Sequence, residues 1–148
     1  MAVDIRAANR AWESVLTTHA RVLRRFAAEP IWREQGVSMR EYDVLYTLAK
    51  CQQPARMGDL QQGVLLSQPA LSRMIDRLET RGLVTRLKDS DDGRAVRVSL
   101  TPAGVELQRT VGRSHARSVE RAMRALDPDE QQQLVRLMGK LEHPPTLT

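Results

Sequence analysis

The sequence predicts a mainly α fold carrying one small β-hairpin, and three observations lead there. Aromatic residues make up only 3% of the 148-residue chain, so its core has to be assembled from Leu, Val, Ala and Met, which recur at the spacing of helices packed on helices. Four helix starts carry capping chemistry: Ser38 with Glu41, Ser67, Thr101 before Pro102, and Asp127 before Pro128. Between the second and third lie two short β-like runs, Leu83 to Lys88 and Ala95 to Leu100, joined by the turn-forming residues Asp89 to Arg94.

Taken in order, Ile5, Ala8, Trp12, Val15, Leu16, His19, Val22, Leu23 and Phe26 keep helical spacing, so the first element is a long amphipathic helix closed by Pro30 and Gly36. Met39, Tyr42, Leu45, Leu48 and Ala49 form one face of a second helix that ends between Lys50 and Pro54. Arg56 to Leu66 reads as a short helix and a turn at Gly63. From Ser67 to Arg81, Leu71, Met74, Ile75 and Leu78 make one stripe, while Pro69, Ala70, Arg73, Arg77 and Thr80 project from the other side. Gly82 ends this helix at a left-handed position. After the hairpin, one helix runs through Leu107, Val111, His115, Val119 and Met123, and a last one through Leu134, Leu137, Met138 and Leu141.

A helix-turn-helix followed by a hairpin is a winged helix-turn-helix, whose second helix enters a DNA major groove while the hairpin reaches the adjacent minor groove. The net charge of +5 suits a polyanionic partner. Ser67, Gln68, Pro69, Ala70 and Ser72 make a small, polar first turn that can enter a groove, and Arg73 and Arg77 follow where they can meet bases or phosphates. Between Ser67 and Arg97 seven basic residues face five acidic ones, Asp76, Glu79, Asp89, Asp91 and Asp92, so each acid has to point away from phosphate or hold an arginine. For Arg73 and Arg77 the plainer alternative is a solvated helix face paired to Asp76 or Glu79.

Other classes are excluded or weakened. No Gly-rich phosphate loop, nucleophile elbow or His-Glu metal helix is present, so no enzyme and no cofactor is expected. The single Cys51 rules out an internal disulfide framework. Without a cleavable apolar leader or a run of about 18 apolar residues, a cytoplasmic protein with no membrane partner is expected. The chain is too short for a separate sensor domain, so any effector must bind within the DNA-binding fold or at a subunit contact.

From about Ile5 to Leu141 the chain resembles the MarR (multiple antibiotic resistance regulator) family of bacterial transcription factors. The resemblance rests on Asp92, Arg94, Leu100 and Thr101, a wing signature at fixed spacing, and on the run from Leu66 to Val84, which is similar to the family's recognition helix and first wing strand. It implies one domain with a DNA-binding lobe at 38–101 and dimerisation helices at 1–35 and 102–143, forming a homodimer that meets successive major grooves of a pseudo-palindrome. It also implies that Arg94 enters the minor groove with Asp92 orienting it. Gly93 and Ala95 stand where more basic residues are often found, and Arg97 is expected to compensate. Repression relieved by a small anionic aromatic or phenolic effector is the implied mechanism. Trp12, His19, Tyr42 and Tyr46, with Arg10, are the candidate pocket; the alternative for them is plain core.

Three alternatives stand beside this reading. A thiol-responsive regulator would use Cys51, although relatives that switch by oxidation carry their cysteine in the first helix, which here has none. A metal-responsive one would need His19 and His115 brought together by folding or dimerisation, since His19, His115 and His143 are far apart and lack a ready ligand spacing. A winged helix used only for protein contacts would need neither the arginine face nor Arg94.

Overall fold

The computed structural model describes residues 4–89, 91, 93 and 95–142. Among them seven helices and three strands follow one another: α1 (Ile5–Ala27), α2 (Pro30–Glu34), α3 (Met39–Lys50), β1 (Ala55–Arg56), α4 (Met57–Gln62), α5 (Gln68–Thr80), β2 (Val84–Lys88), β3 (Val96–Leu100), α6 (Pro102–Met123) and α7 (Pro128–Glu142). They form two compact units, one ending at His115 within α6 and the other beginning at Ala116.

In the first unit, α1 starts where the Asp4 carboxylate accepts the N–H groups of Arg6 and Ala7 at 3.0 and 3.3 Å. Its apolar stripe stays open, with Ile5, Trp12 and Leu16 exposed by 72%, 57% and 49%. Pro30, expected to stop a helix, begins one: it occupies the first position of α2, where its missing N–H has no helical partner to lose. The turn of α2 exists because Trp32 is buried there, and Gly36, at φ +60°, turns the chain towards α3.

The predicted capping box of α3 is present, with the Ser38 hydroxyl accepting from the Glu41 N–H at 3.1 Å and the Glu41 carboxylate accepting from the Ser38 N–H at 2.9 Å. Leu71, Met74, Ile75 and Leu78 of α5 are all buried, against Val44, Leu45 and Leu48 of α3, Leu60 of α4, and Val84 and Val98 of the sheet. Burial contributes about 1.5–3 kcal/mol per large aliphatic side chain, so four such residues hold α5 firmly while its opposite side stays in solvent. A second cluster joins Trp32, Val37, Tyr42 and Val111.

The sheet is antiparallel in the order β1-β3-β2. β2 and β3 pair from Val84↔Leu100 to Lys88↔Val96, and the Asp89 N–H continues the hairpin to the Ala95 carbonyl at 2.9 Å. β1 is an addition to the expected elements: Ala55 and Arg56 pair with Val98 and Arg97. Two residues are too few to show a period, so only the neighbouring strand reveals them.

The start of α6 is tied to the end of α5. The Thr101 hydroxyl donates to the Gly82 carbonyl at 2.6 Å and accepts from the Gly104 N–H at 3.1 Å. Gly82 has φ +70°, the left-handed value its position required. In the second unit, Asp127 and Glu130 cap α7 reciprocally, each side chain accepting the other's N–H at 2.9 Å. Val135, Leu137 and Leu141 of α7 are 74%, 46% and 61% exposed.

Candidate nucleic-acid interface

Ser67 caps α5 through its hydroxyl, which accepts from the Ala70 N–H at 3.3 Å, and leaves Ser67, Gln68 and Pro69 exposed with Ala70 and Ser72 half-buried. Arg73 and Arg77 are exposed one turn apart on the same side. The decisive detail is where the acids of this helix go. Asp76 is held by the Arg86 guanidinium at 2.6 Å, and the Glu79 carboxylate accepts the Arg86 backbone N–H at 3.1 Å. Arg86 also reaches the Ser72 carbonyl at 3.4 Å. A single β2 residue therefore occupies both carboxylates that could have paired with the outward arginines. Among the described residues neither Arg73 nor Arg77 has an acidic partner; Arg77 makes only a contact from its guanidinium to the Met74 sulfur at 3.3 Å.

Asp92 and Arg94, the expected wing contacts, lie outside the described residues. Arg97, expected beside them at the DNA, is committed elsewhere: its Nε donates to the Asp89 carboxylate at 2.9 Å and an Nη to the Pro54 carbonyl at 3.4 Å. Sequence order suggested a wing-tip cation, but the alternation of β3 turns Arg97 towards β1 and the loop before it. The Asp89 side chain is 1% exposed and also has Arg56 at 3.8 Å. The Asp91 N–H and the Arg97 guanidinium, in that order, hold the Asp89 carboxyl below the usual carboxylate range.

The four candidate pocket residues divide. Tyr42 is buried and stacks on Tyr46 at 5.8 Å between ring centroids. Trp12 and His19 are exposed on α1, and among the described residues neither makes a ring contact with either tyrosine. What gathers at Tyr42 instead is His115 at 5.7 Å and Trp32 at 5.7 Å, with Phe26 edge-on to His115 at 5.0 Å. In the sequence His115 lies on an apolar helical stripe and Trp32 between Pro30 and Gly36, so no local pattern points to their meeting. The His115 Nδ1 is buried without a hydrogen-bond partner among the described residues. Burial raises the Tyr42 hydroxyl pKa, against a hydrogen bond with Gln108 that lowers it. Burial likewise raises Asp43, against the nearby His115. Asp43 also lines a cavity of about 150 Å³ with Leu23, Met39, Val64 and Leu66, directly before the Ser67 cap.

Cys51 is half-buried and packs beside the main core. Among the described residues no group of three His, Cys, Asp or Glu could hold a metal ion, and His143 lies outside them. No helix there is long and apolar enough to cross a membrane.

Residues 37–96, from the end of α2 to the start of β3, match the sequence profile described as the MarR family. The chain is 33% identical over 108 residues to YkoM, an HTH-type transcriptional regulator of Bacillus subtilis (strain 168), spanning 73% of this chain and 70% of that one. Its fold is similar to AbsC, a MarR family transcriptional regulator from Streptomyces coelicolor, with TM-score 0.79 and 26% identity over 96% of this chain and 95% of that one. It is also similar to Bordetella bronchiseptica BpsR, whose DNA binding is regulated by 6-hydroxynicotinic acid, with TM-score 0.71 and 24% identity over 87% of this chain and 98% of BpsR. With a helix-turn-helix followed by a β-hairpin in a three-stranded sheet, and these relatives, the chain belongs to the MarR family and has the fold of its transcriptional regulators.

Proposed function

We propose that this protein is a homodimeric repressor that reads a pseudo-palindromic DNA operator through α5 and the β2–β3 wing and is released by a small anionic aromatic or phenolic compound. The observation that supports DNA binding is the outward side of α5, where among the described residues Arg73 and Arg77 have no acidic partner and Asp76, the carboxylate nearest them in sequence, is held by Arg86. Arg73 and Arg77 contact base edges or phosphate, Ser67, Gln68, Pro69, Ala70 and Ser72 let the helix tip approach, and Arg94, oriented by Asp92, enters the minor groove. The open stripes of α1 and α7 supply the dimer contact. Selecting bound fragments from genomic DNA with the purified protein tests this: a recurrent, two-fold related site bound with a steep salt dependence is expected, and absence of specific binding at low salt would favour the protein-contact reading.

The effector is placed beside Tyr42, Tyr46 and His115, whose buried Nδ1 has no partner among the described residues and can meet a carboxylate or phenol; the separate Leu23–Asp43–Val64 cavity lies before the turn into α5. Trp12 and His19 join this site only if a second protomer brings its α1 to it. A ligand that prefers a dimer with the recognition helices wrongly spaced lowers operator affinity by about 1.4 kcal/mol for each tenfold of preference. Thermal-shift screening of phenolic and hydroxyaromatic acids, repeated with His115→Ala, should give stabilisation that the substitution abolishes.

A further inference from the structure

We propose that Asp89 and Arg97 are positioning residues for DNA binding: an ion pair built on the buried Asp89 carboxylate, with Arg97 half-buried and the exposed Arg56 as its third member, that sets the angle of the β2–β3 hairpin against the DNA-binding lobe. This rests on the DNA-binding reading and adds which residues aim the wing without touching DNA. Asp89 follows β2 directly, and its carboxylate gathers groups from three separate stretches: Arg97 of β3 at 2.9 Å, Arg56 of β1 at 3.8 Å and the Asp91 N–H of the turn at 3.0 Å. Arg97 extends the link to the Pro54 carbonyl at 3.4 Å, just before β1. The backbone alone offers little restraint here, because β1 pairs with β3 through only two residues.

The geometry makes the restraint matter. A five-residue strand spans about 17 Å, so a tilt of about 20° at its base moves its end by about 6 Å. The minor groove is itself only about 6 Å wide. The core does not depend on the pair, since the packed residues Val84 and Val98 lie at the root and the centre of the sheet while Asp89 lies at its far end. A buried carboxylate that loses its partners is left uncompensated, so the pair holds one hairpin position rather than many.

The test uses the full chain with Asp89→Asn, Arg97→Met and Arg97→Lys on a fragment selected by the wild-type protein. Asp89→Asn should weaken specific binding about tenfold or more. It should speed amide exchange in the outer part of β2 and β3 while α3 and α5 keep their protection. It should also remove hydroxyl-radical protection of the flanking minor grooves but spare methylation protection of guanines in the major groove. Arg97→Lys should recover part of the affinity that Arg97→Met loses. Wild-type affinity and exchange in Asp89→Asn overturn the proposal, as does loss of protection in all elements together, which would make the pair a support of the whole lobe. Absence of any specific fragment for the wild-type protein would overturn the DNA-binding reading instead, and this proposal with it.

Discussion

At the scale of single residues, the charge on the outward side of α5 is set in part by a residue that does not lie on α5. Arg86 holds Asp76 at 2.6 Å and so leaves Arg73 and Arg77 available. Replacing it with Met frees a carboxylate one helical turn from Arg73, and DNA affinity should fall by about 0.5 kcal/mol, chiefly at low salt; unchanged binding in a salt titration would show that Asp76 never competes. Arg73→Ala should cost about 1–3 kcal/mol on the operator and less on random DNA, compared by fluorescence anisotropy on the two duplexes. Asp89 gives a pH signature. Its folded pKa is depressed, so the stability it contributes is present above the ordinary carboxylate value of about 3.9 and is lost as pH falls through the lower folded value. Urea midpoints of wild type and Asp89→Asn should therefore differ at pH 7 and converge on acidification below about pH 4.

At the scale of elements, α5 is held at both ends. Ser67 caps its start, and Thr101 grips the carbonyl of Gly82 just past its end, so the Thr of the Leu-Thr pair also ties the start of α6 to the end of α5. This junction is tight. A Cβ on Gly104 would collide with the Leu83 carbonyl oxygen. Gly104→Ala should therefore cost about 1–3 kcal/mol, read as a melting temperature several degrees lower, while a wild-type melting temperature would mean that α6 shifts freely. The elements legible from sequence were those with a full period or a cap, such as α1, α3, α5 and the hairpin. α2 and β1 were not, because a single turn and a two-residue strand form only when Trp32 finds its cluster and Ala55 finds β3.

At the scale of the whole molecule, exposed apolar stripes set the expectation. Leu16 on α1 and Leu137 on α7 are 49% and 46% exposed, each within an apolar face of its own unit. Leu16→Asp or Leu137→Asp should move the protein towards monomers in sedimentation velocity, since a charge placed in an apolar contact is costly; a retained stable dimer would remove that residue from the interface. The proposed repression depends on this pairing, because two recognition helices bind successive grooves only when a dimer holds their separation.

The sequence by itself determined the winged helix-turn-helix, the four-residue stripe that buries one side of α5, the glycine past its end and the family. Each of these is a local pattern of periodicity, capping or backbone freedom, written within a few turns of chain. Only the tertiary structure decided which charges pair. Arg97 pairs with Asp89, Arg86 pairs with Asp76 of α5, and His115 is carried to Tyr42 from 73 positions away in the chain. Side-chain partners are chosen by distance and burial after folding, and an arginine read in sequence carries its charge but not the direction in which its strand or helix turns it.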